Sequence, residues 1–418
     1  MLTNPKNRDN LYGKADWYPY YAGYAQGFVS DVIDLLNVDS TQNILDPWNG
    51  SGTTTHISSI KGIKAYGYDL NPAMVTVAKA KILSGVSYEY LIELAERIIK
   101  ETTSSQKHFS TSTDPLSNWL RHDSIYQFRK LEFHILKHTL QEPSNIKGSK
   151  LNAFFQVILF RTLKNLLSMF RSSNPTWIKK AKTDAERVSI NRYKIYNSFL
   201  REAQSMASTF KDNCNFQSIV EPIIGISNSQ ALPLPNDFIY HIITSPPYCT
   251  RIDYVVATLP ELSILNPQIK DFNKLRRNML GTNLIQKDYI IYDSSWGNTC
   301  KDFLESVKNH QSKASSGYYL KTFLQYFNSL HKSLNELNRV LKNNGTCTIV
   351  VQDSYYKDIH LDLPSIIVEM TSSFGWRCVH KEDFDNTVTM SNLNGNSKIY
   401  RKITLPIETA LIFRKDRI

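Results

Sequence analysis

The stretch NILDPWNGSGTTTHISSI, Asn43 to Ile60, decides the fold. Ile44 and Leu45 end a short strand, Gly50 and Gly52 permit a tight turn, and Thr53 to Ile60 opens a helix. Strand, glycine turn and helix N-terminus together make a cradle whose backbone N–H groups a cofactor can approach closely. The turn has neither the GK[ST] of a P-loop nor a GxGxxG fingerprint.

The next segment is AYGYDLNPAMVTVAKAKIL, Ala65 to Leu83. Tyr66 to Tyr68 read as a second strand with Asp69 at its carboxyl end. A carboxylate there, one βαβ step after a glycine turn, is placed to accept both hydroxyls of a ribose. Asn71 and Pro72 look like a helix start, so Asp69 also reads as an N-cap, and both readings can hold. Upstream, Asp16 to Leu36 begins aromatic and turn-rich, then becomes an amphipathic helix with Phe28, Val32, Leu35 and Leu36 on one face.

A second motif, ITSPPY, runs from Ile243 to Tyr248. The apolar run Tyr240 to Ile243 reads as a buried strand that must stop at Ser245, because Pro246 and Pro247 have no N–H for a ladder. Ligands bind at the carboxyl edge of an open α/β sheet. The loop therefore offers, in one rigid piece, the Ser245 hydroxyl, the Pro246 carbonyl and the Tyr248 ring. Two acceptors and a flat aromatic face suit a planar base with an exocyclic –NH2.

The 418 residues suffice for a large core. Apolar content of 41% and charged content of 21% are those of a soluble globular protein. Lys and Arg outnumber Asp and Glu by 49 to 38, a net +11 that favours a polyanionic partner. The 5 cysteines are scattered without a CxxC pair, so neither a disulfide framework nor a zinc site is suggested. No signal-like apolar core opens the chain and no long apolar run occurs, so a cytoplasmic protein without a membrane partner is expected.

Three segments separate the motifs. Residues 101–118 are polar and Ser/Thr-rich and read as a loop. Leu151 to Phe170 has apolar residues at helical spacing and reads as a core helix. From Arg161 to Lys211, eleven Lys or Arg stand against three acids, a net of +8. Trp177, Tyr193 and Tyr196 interleave with those bases, which suits a nucleic-acid surface; a solvated basic helix face is the other reading. Trp177, Lys179, Lys180 and Lys182 are its candidate contacts. Arg251, Arg276 and Arg277 lie in a second basic excursion past the ITSPPY loop. His134 and His138 are four apart, but no third ligand is evident, so no metal is expected. Cys249 reads as packing. Tyr318 to Leu341 is a helix capped by Gly345, followed by a central strand from Thr346, a helix from Leu363, and the strands WRCVHKEDF and ETALIFRK.

Over residues 16–84 and 226–418 the chain resembles the S-adenosylmethionine-dependent amino-methyltransferases that act on DNA bases. DPWNGSGTT looks like their cofactor loop, DLNP like their ribose-binding acidic motif, and TSPPY like their catalytic motif. WYPYYAGYAQGF is similar to the segment that packs over the methionine end of the cofactor. The resemblance implies a Rossmann-like doubly wound α/β sheet of the class I methyltransferase type with a mostly helical insertion. It divides the chain into a discontinuous methyltransferase domain (1–90 and 223–418), a helical basic insertion (91–222) and a second excursion or lid (255–316). It implies S-adenosyl-L-methionine held by Tyr21, Asp46, Pro47, Asn49, Gly50, Ser51, Gly52, Thr53, Asp69, Leu70, Asn71 and Asn228. Catalysis falls to Ser245, Pro246, Pro247 and Tyr248, on double-stranded DNA, with a restriction or phage-defence component as a further partner.

Ser245 is the form most often seen in cytosine-N4 enzymes. Asn228 stands where the family usually has Asp, Tyr240 where an acid often opens the catalytic strand, and the motif order reverses the commonest cytosine-N4 arrangement. Adenine N6, RNA guanine N2 and a non-catalytic cofactor-binding subunit are the other readings. Intact Gly50, Gly52, Asp69 and Ser245 argue against the last.

Overall fold

The computed structural model describes residues 1–7, 9–20, 23–140, 145–172, 177–211, 220–249, 252–269, 271–285, 290–385 and 406–416. Its centre is a seven-stranded sheet. The strands are β1 (Asn43–Asp46), β2 (Lys64–Asp69), β3 (Ile223–Ile226), β4 (Ile239–Thr244) and β5 (Leu341–Gln352). The short hairpin β6 (Ser354–Tyr356) and β7 (Ile359–Leu361) stands apart, and β8 (Trp376–Phe384) and β9 (Glu408–Lys415) complete the sheet. The order is β3-β2-β1-β4-β5-β9-β8, parallel throughout except for β9, which runs against both its neighbours. The chain first steps outward from β1 to β3, then returns to the other side of β1 with β4. The crevice between β1 and β4 is thus the point where strand order reverses.

Alternation of side chains builds two layers on this sheet. Ile44, Ile243, Val350 and Ala410 face α1 (Gln26–Leu35) and α2 (Thr53–Ile60). Their neighbours Leu45, Ile242, Ile349, Val351 and Leu411 face the opposite way. They meet α11 (Asn298–Asn309), α12 (Leu320–Val340) and α13 (Leu363–Ser372). Both faces are covered, which is why β4 and β5 read as apolar runs.

A third core lies beside the sheet. The helices α3 (Pro72–Lys81), α4 (Tyr88–Ser104), α5 (His122–Thr139), α6 (Asn145–Leu166) and α7 (Arg192–Ala207) contribute Met74, Leu94, Phe128, Phe155 and Phe199 to it. So do α8 (Tyr254–Ala257) and α9 (Leu259–Leu265), through Val255, Leu259 and Leu262. A short α10 (Asn273–Asn278) follows. The insertion shares its core with α3, the helix that follows β2. The 255–316 excursion is divided: its first half packs on the insertion, and Trp296, Cys300 and Phe303 join the face beneath α12. Arg129 of α5 stitches the parts together. Its guanidinium pairs with Asp114 at 2.6 Å and donates to the Ser263 and Ile264 carbonyls at 2.7 and 2.8 Å.

Several local expectations change. The buried face of α1 is Phe28, Val29, Val32 and Ile33, while Leu35 is 51% exposed. α4 runs on to Ser104 and Pro115–Asn118 forms a 3-10 turn, so the 101–118 stretch is only partly loop. α6 stops at Leu166, and Phe170 sits in a separate 3-10 turn. Gly345 does not cap α12: the positive φ of 64° belongs to Asn344, and β5 begins at Leu341. A Cβ at Gly345 would come within 2.9 Å of the Tyr240 carbonyl, so the glycine serves close approach to β4. Among the described residues, no helix is long and apolar enough to cross a membrane.

Candidate cofactor cradle and catalytic loop

The cradle follows β1. Gly50 and Gly52 adopt φ of 47° and 82°, in the left-handed region that glycine alone enters freely. Gly52 also lies against Ala78 of α3, where a Cβ would come within 2.7 Å of its neighbour. The Gly50 N–H donates to Asp69 Oδ2 at 2.9 Å, and the Asn49 N–H to the Tyr68 carbonyl at 2.9 Å. These bonds pin the glycine turn to the end of β2.

Asp69 accepts one backbone N–H on each oxygen, from Gly50 and from Asn71 at 2.8 Å. A carboxylate has about four acceptor positions, so each oxygen keeps one for a hydroxyl. Burial raises its pKa to about 6, against the two N–H bonds that lower it. The N-cap of α3 is Asn71, whose Oδ1 accepts from Ala73 N at 3.0 Å. Asp69 is thereby released from capping. Leu70 is half-buried beside it.

Asn49 turns Oδ1 toward Thr55 Oγ1 at 3.1 Å, while its buried Nδ2 has no protein acceptor. That amide is a donor with a place for a ligand oxygen. Ser51 is buried and accepts from Lys81 Nζ at 3.3 Å. Pro47 and Gly52 are buried, and Thr53 opens α2. Asp46 behaves differently from the expected cofactor contact, because its carboxylate is spent inside the fold. Thr244 Oγ1 (2.6 Å), Thr54 Oγ1 (2.7 Å), Tyr24 OH (2.9 Å) and Trp48 N (3.1 Å) all donate to it. It braces the cradle against the end of β4. Tyr21 lies outside the described residues; Tyr20 packs its ring edge against Gly50.

The candidate catalytic loop leaves β4 at Thr244. Ser245 Oγ donates to Tyr248 OH at 3.2 Å, and Tyr248 OH donates to Glu408 Oε1 at 2.5 Å. Glu408 is 1% exposed at the start of β9. Burial first, then the Glu408 carboxylate, holds the Tyr248 pKa well above its ordinary value. Tyr248 thus stays protonated and its proton points at Glu408. The Ser245 hydroxyl in turn donates to Tyr248, which leaves the Ser245 oxygen with lone pairs to accept. Lys6 Nζ stands 5.2 Å from the Tyr248 ring centroid and 3.4 Å from Glu408 Oε2. The Pro247 carbonyl accepts from Tyr326 OH at 3.0 Å, fixing the loop from α12.

Cys249 is half-buried beside a polar groove of about 110 Å³ that Asn228, Arg277, Gln325 and Tyr326 also line. Asn228 Oδ1 accepts from Gln230 N at 3.0 Å. Sequence reasoning did not find Glu408, Tyr326 or Lys6. An acid opening an otherwise apolar strand was the one available signal for Glu408.

The basic candidates divide. Trp177 is 47% exposed, and Lys179, Lys180 and Lys182 are exposed around it. Lys180 feels the charge of Arg276, which, after burial, lowers its pKa, so the insertion and the second excursion converge there. The Arg276 guanidinium is committed to Asp253 at 2.6 Å, while Arg277 is exposed. Tyr193 is exposed, but Tyr196 is buried in the insertion core and bonds Gln127, so it is no part of a basic surface. Arg251 lies outside the described residues.

A glycine cradle after β1, an acidic residue ending β2 and a proline loop ending β4 of this sheet define a Rossmann-like fold of the class I methyltransferase type. The chain is similar to the type II methyltransferase M.BsoBI of Geobacillus stearothermophilus, 26% identical over 370 residues, covering 82% of this chain and 69% of that protein. It is 22% identical over 394 residues to the type II methyltransferase M.AvaI of Nostoc sp., covering 86% of this chain and 78% of that protein. A solved SAM-dependent methyltransferase of Methanosarcina mazei aligns with a TM-score of 0.33 and 7% identity, covering 92% of this chain and 98% of that one. No family model matches the chain.

Proposed function

We propose that the protein transfers a methyl group from S-adenosyl-L-methionine to the exocyclic N4 amine of cytosine in double-stranded DNA, as part of a restriction-modification or phage-defence system. The observation that carries this reading is the chain of donors from Ser245 through Tyr248 to buried Glu408, one strand away from the cradle. The similarity to type II methyltransferases supports the DNA substrate.

The cofactor supplies an electrophilic methyl on a sulfonium. Asp69 would accept the ribose hydroxyls, and the glycine turn with Asn49 would hold the rest of the cofactor. The cytosine amine is a weak nucleophile because its lone pair is delocalised into the ring. Ser245 Oγ and the Pro246 carbonyl accept its two N–H bonds, which draws the nitrogen toward tetrahedral geometry and frees the lone pair for in-line attack. The cofactor would supply its methyl as the C–S bond gives way to N–C and would leave as a neutral thioether, and the amine would shed one proton to solvent. Positioning accounts for most of the rate. The base leaves the duplex at a cost of a few kcal/mol. Stacking on Tyr248 offsets about 1–3 kcal/mol of it.

Adenine N6 is the second reading, favoured by the motif order. The test is transfer of tritium from labelled cofactor to duplex DNA and, separately, to structured RNA. Incorporation into DNA is expected. Incorporation into RNA alone contradicts the proposed substrate.

A further inference from the structure

Beyond methyl transfer, the first two helices of the insertion meet at three side chains that the reaction does not use. Glu101 lies near the end of α4, and His134 and His138 lie one turn apart on α5. One carboxylate oxygen and one ring nitrogen from each histidine fall within 4.8 Å of one another. Glu101 Oε1 is 3.1 Å from His138 Nε2, and Glu101 Oε2 is 3.4 Å from His134 Nδ1.

These contacts are poor hydrogen bonds. A charge-assisted N–H to carboxylate bond is about 2.7–2.9 Å long and well aligned. Here His138 Nε2 and both ring nitrogens of His134 are buried without a hydrogen-bond partner, and His134 is only 5% exposed. Ligand atoms around a tetrahedral zinc, at bond lengths of roughly 2.0–2.1 Å, sit about 3.3–3.4 Å apart. The 3.1 Å between Glu101 Oε1 and His138 Nε2 is near an edge of such a coordination sphere, while the 3.4 Å contact of His134 is to the other carboxylate oxygen.

We propose that Glu101, His134 and His138 bind one divalent transition-metal ion, zinc by their donor set, as a clamp between α4 and α5. Two imidazoles and a carboxylate, with a fourth position for water, form a donor set suited to zinc. Lys137 Nζ, 2.7 Å from Glu101 Oε2, holds the second carboxylate oxygen and orients the first. The helix so clamped also carries Arg129, the residue that ties the insertion to α9. The ion therefore braces the scaffold that presents the basic segments, apart from the reacting groups.

The experiment uses the full chain without a histidine tag, stripped by chelator and titrated with Zn2+ and with Co2+. One equivalent should bind saturably at micromolar concentration or below, Co2+ should give the strong visible bands of a four-coordinate ion, and Zn2+ should raise Tm. Glu101→Gln and His138→Gln should each weaken binding by roughly tenfold or more, or about 1.4 kcal/mol. His380→Gln, in a surface pair with Glu382, should leave it unchanged. The proposal is overturned if wild-type protein shows no saturable binding below about 1 mM. It is equally overturned if Glu101→Gln binds as tightly as wild type. The wild-type titration decides even where a variant fails to fold.

Discussion

The candidate cofactor cradle and the candidate catalytic loop follow adjacent strands and are built in opposite ways. The cradle is held by its own neighbourhood: Gly50 reaches Asp69, 19 residues away, and Asp46 reaches Thr54, 8 residues away. The candidate loop is four residues whose hydrogen bonds come from afar. Tyr248 finds Glu408 at a separation of 160 residues, Pro247 finds Tyr326 at 79, and Thr244 reaches back to Asp46 across 198. A binding cradle made of turns can be local. An acceptor whose proton must point away from the substrate needs a buried partner, and the carboxylate that meets Tyr248 is on β9.

If that contrast holds, Ser245→Ala costs most. Single-turnover methylation should fall by about 10²-fold, since the lost acceptor acts on the reacting amine, while cofactor and DNA affinity hardly change. An affinity loss that matches the rate loss would move Ser245 from catalysis to binding. Next, Asp69→Ala should weaken S-adenosylmethionine by about tenfold or more through two lost charge-assisted hydrogen bonds, read by calorimetry. The wild-type affinity should also fall as pH drops through about 6, because ribose binding needs the carboxylate. In the free protein the same raised pKa acts with the opposite sign. Asp69's contribution to stability is present below 3.8 and is lost as pH rises through about 6, since the native state holds the proton more tightly. A pH-independent affinity between 5 and 7 would remove Asp69 from the ribose site.

The long-range half of the contrast is tested by Glu408→Gln and Tyr248→Phe. Each should lower kcat several-fold with less change in KM, and the double variant should lose little more than either alone, because both cut one chain of donors. Additive losses would mean that Glu408 and Tyr248 act independently. Smallest is the effect of neutralising Lys179, Lys180 and Lys182 together. DNA affinity should weaken across all sequences, and the slope of log affinity against log salt should flatten by up to about three, roughly one for each phosphate left without its lysine. An unmoved slope would leave Arg277 as the next candidate.

The cradle and the strand ends were legible because their signals are local. Glycines that need positive φ, an Asn-Pro helix start and a Pro-Pro strand stop each act within a few residues. The errors came where tertiary contacts override such signals. Gly345 looked like a helix cap, yet its missing side chain serves β4, and Asn344 takes the left-handed turn. Tyr196 sits among basic residues in the chain, yet its ring belongs to the insertion core. Asp46 fitted the ligand motif, while four donors from three segments occupy its carboxylate. Glu408 and the Glu101 partner of the histidine pair were invisible for the same reason. Their meaning depends on residues that only the fold brings within reach.

Duplex DNA should be incubated with the protein and methyl-deuterated S-adenosylmethionine, digested to nucleosides and read by mass spectrometry. Cytosine carrying the labelled methyl on N4, absent from a Ser245→Ala reaction, is the result expected from the Ser245–Tyr248–Glu408 arrangement. Label on carbon 5 of cytosine, or label appearing equally with Ser245→Ala, would contradict amine methylation at this loop.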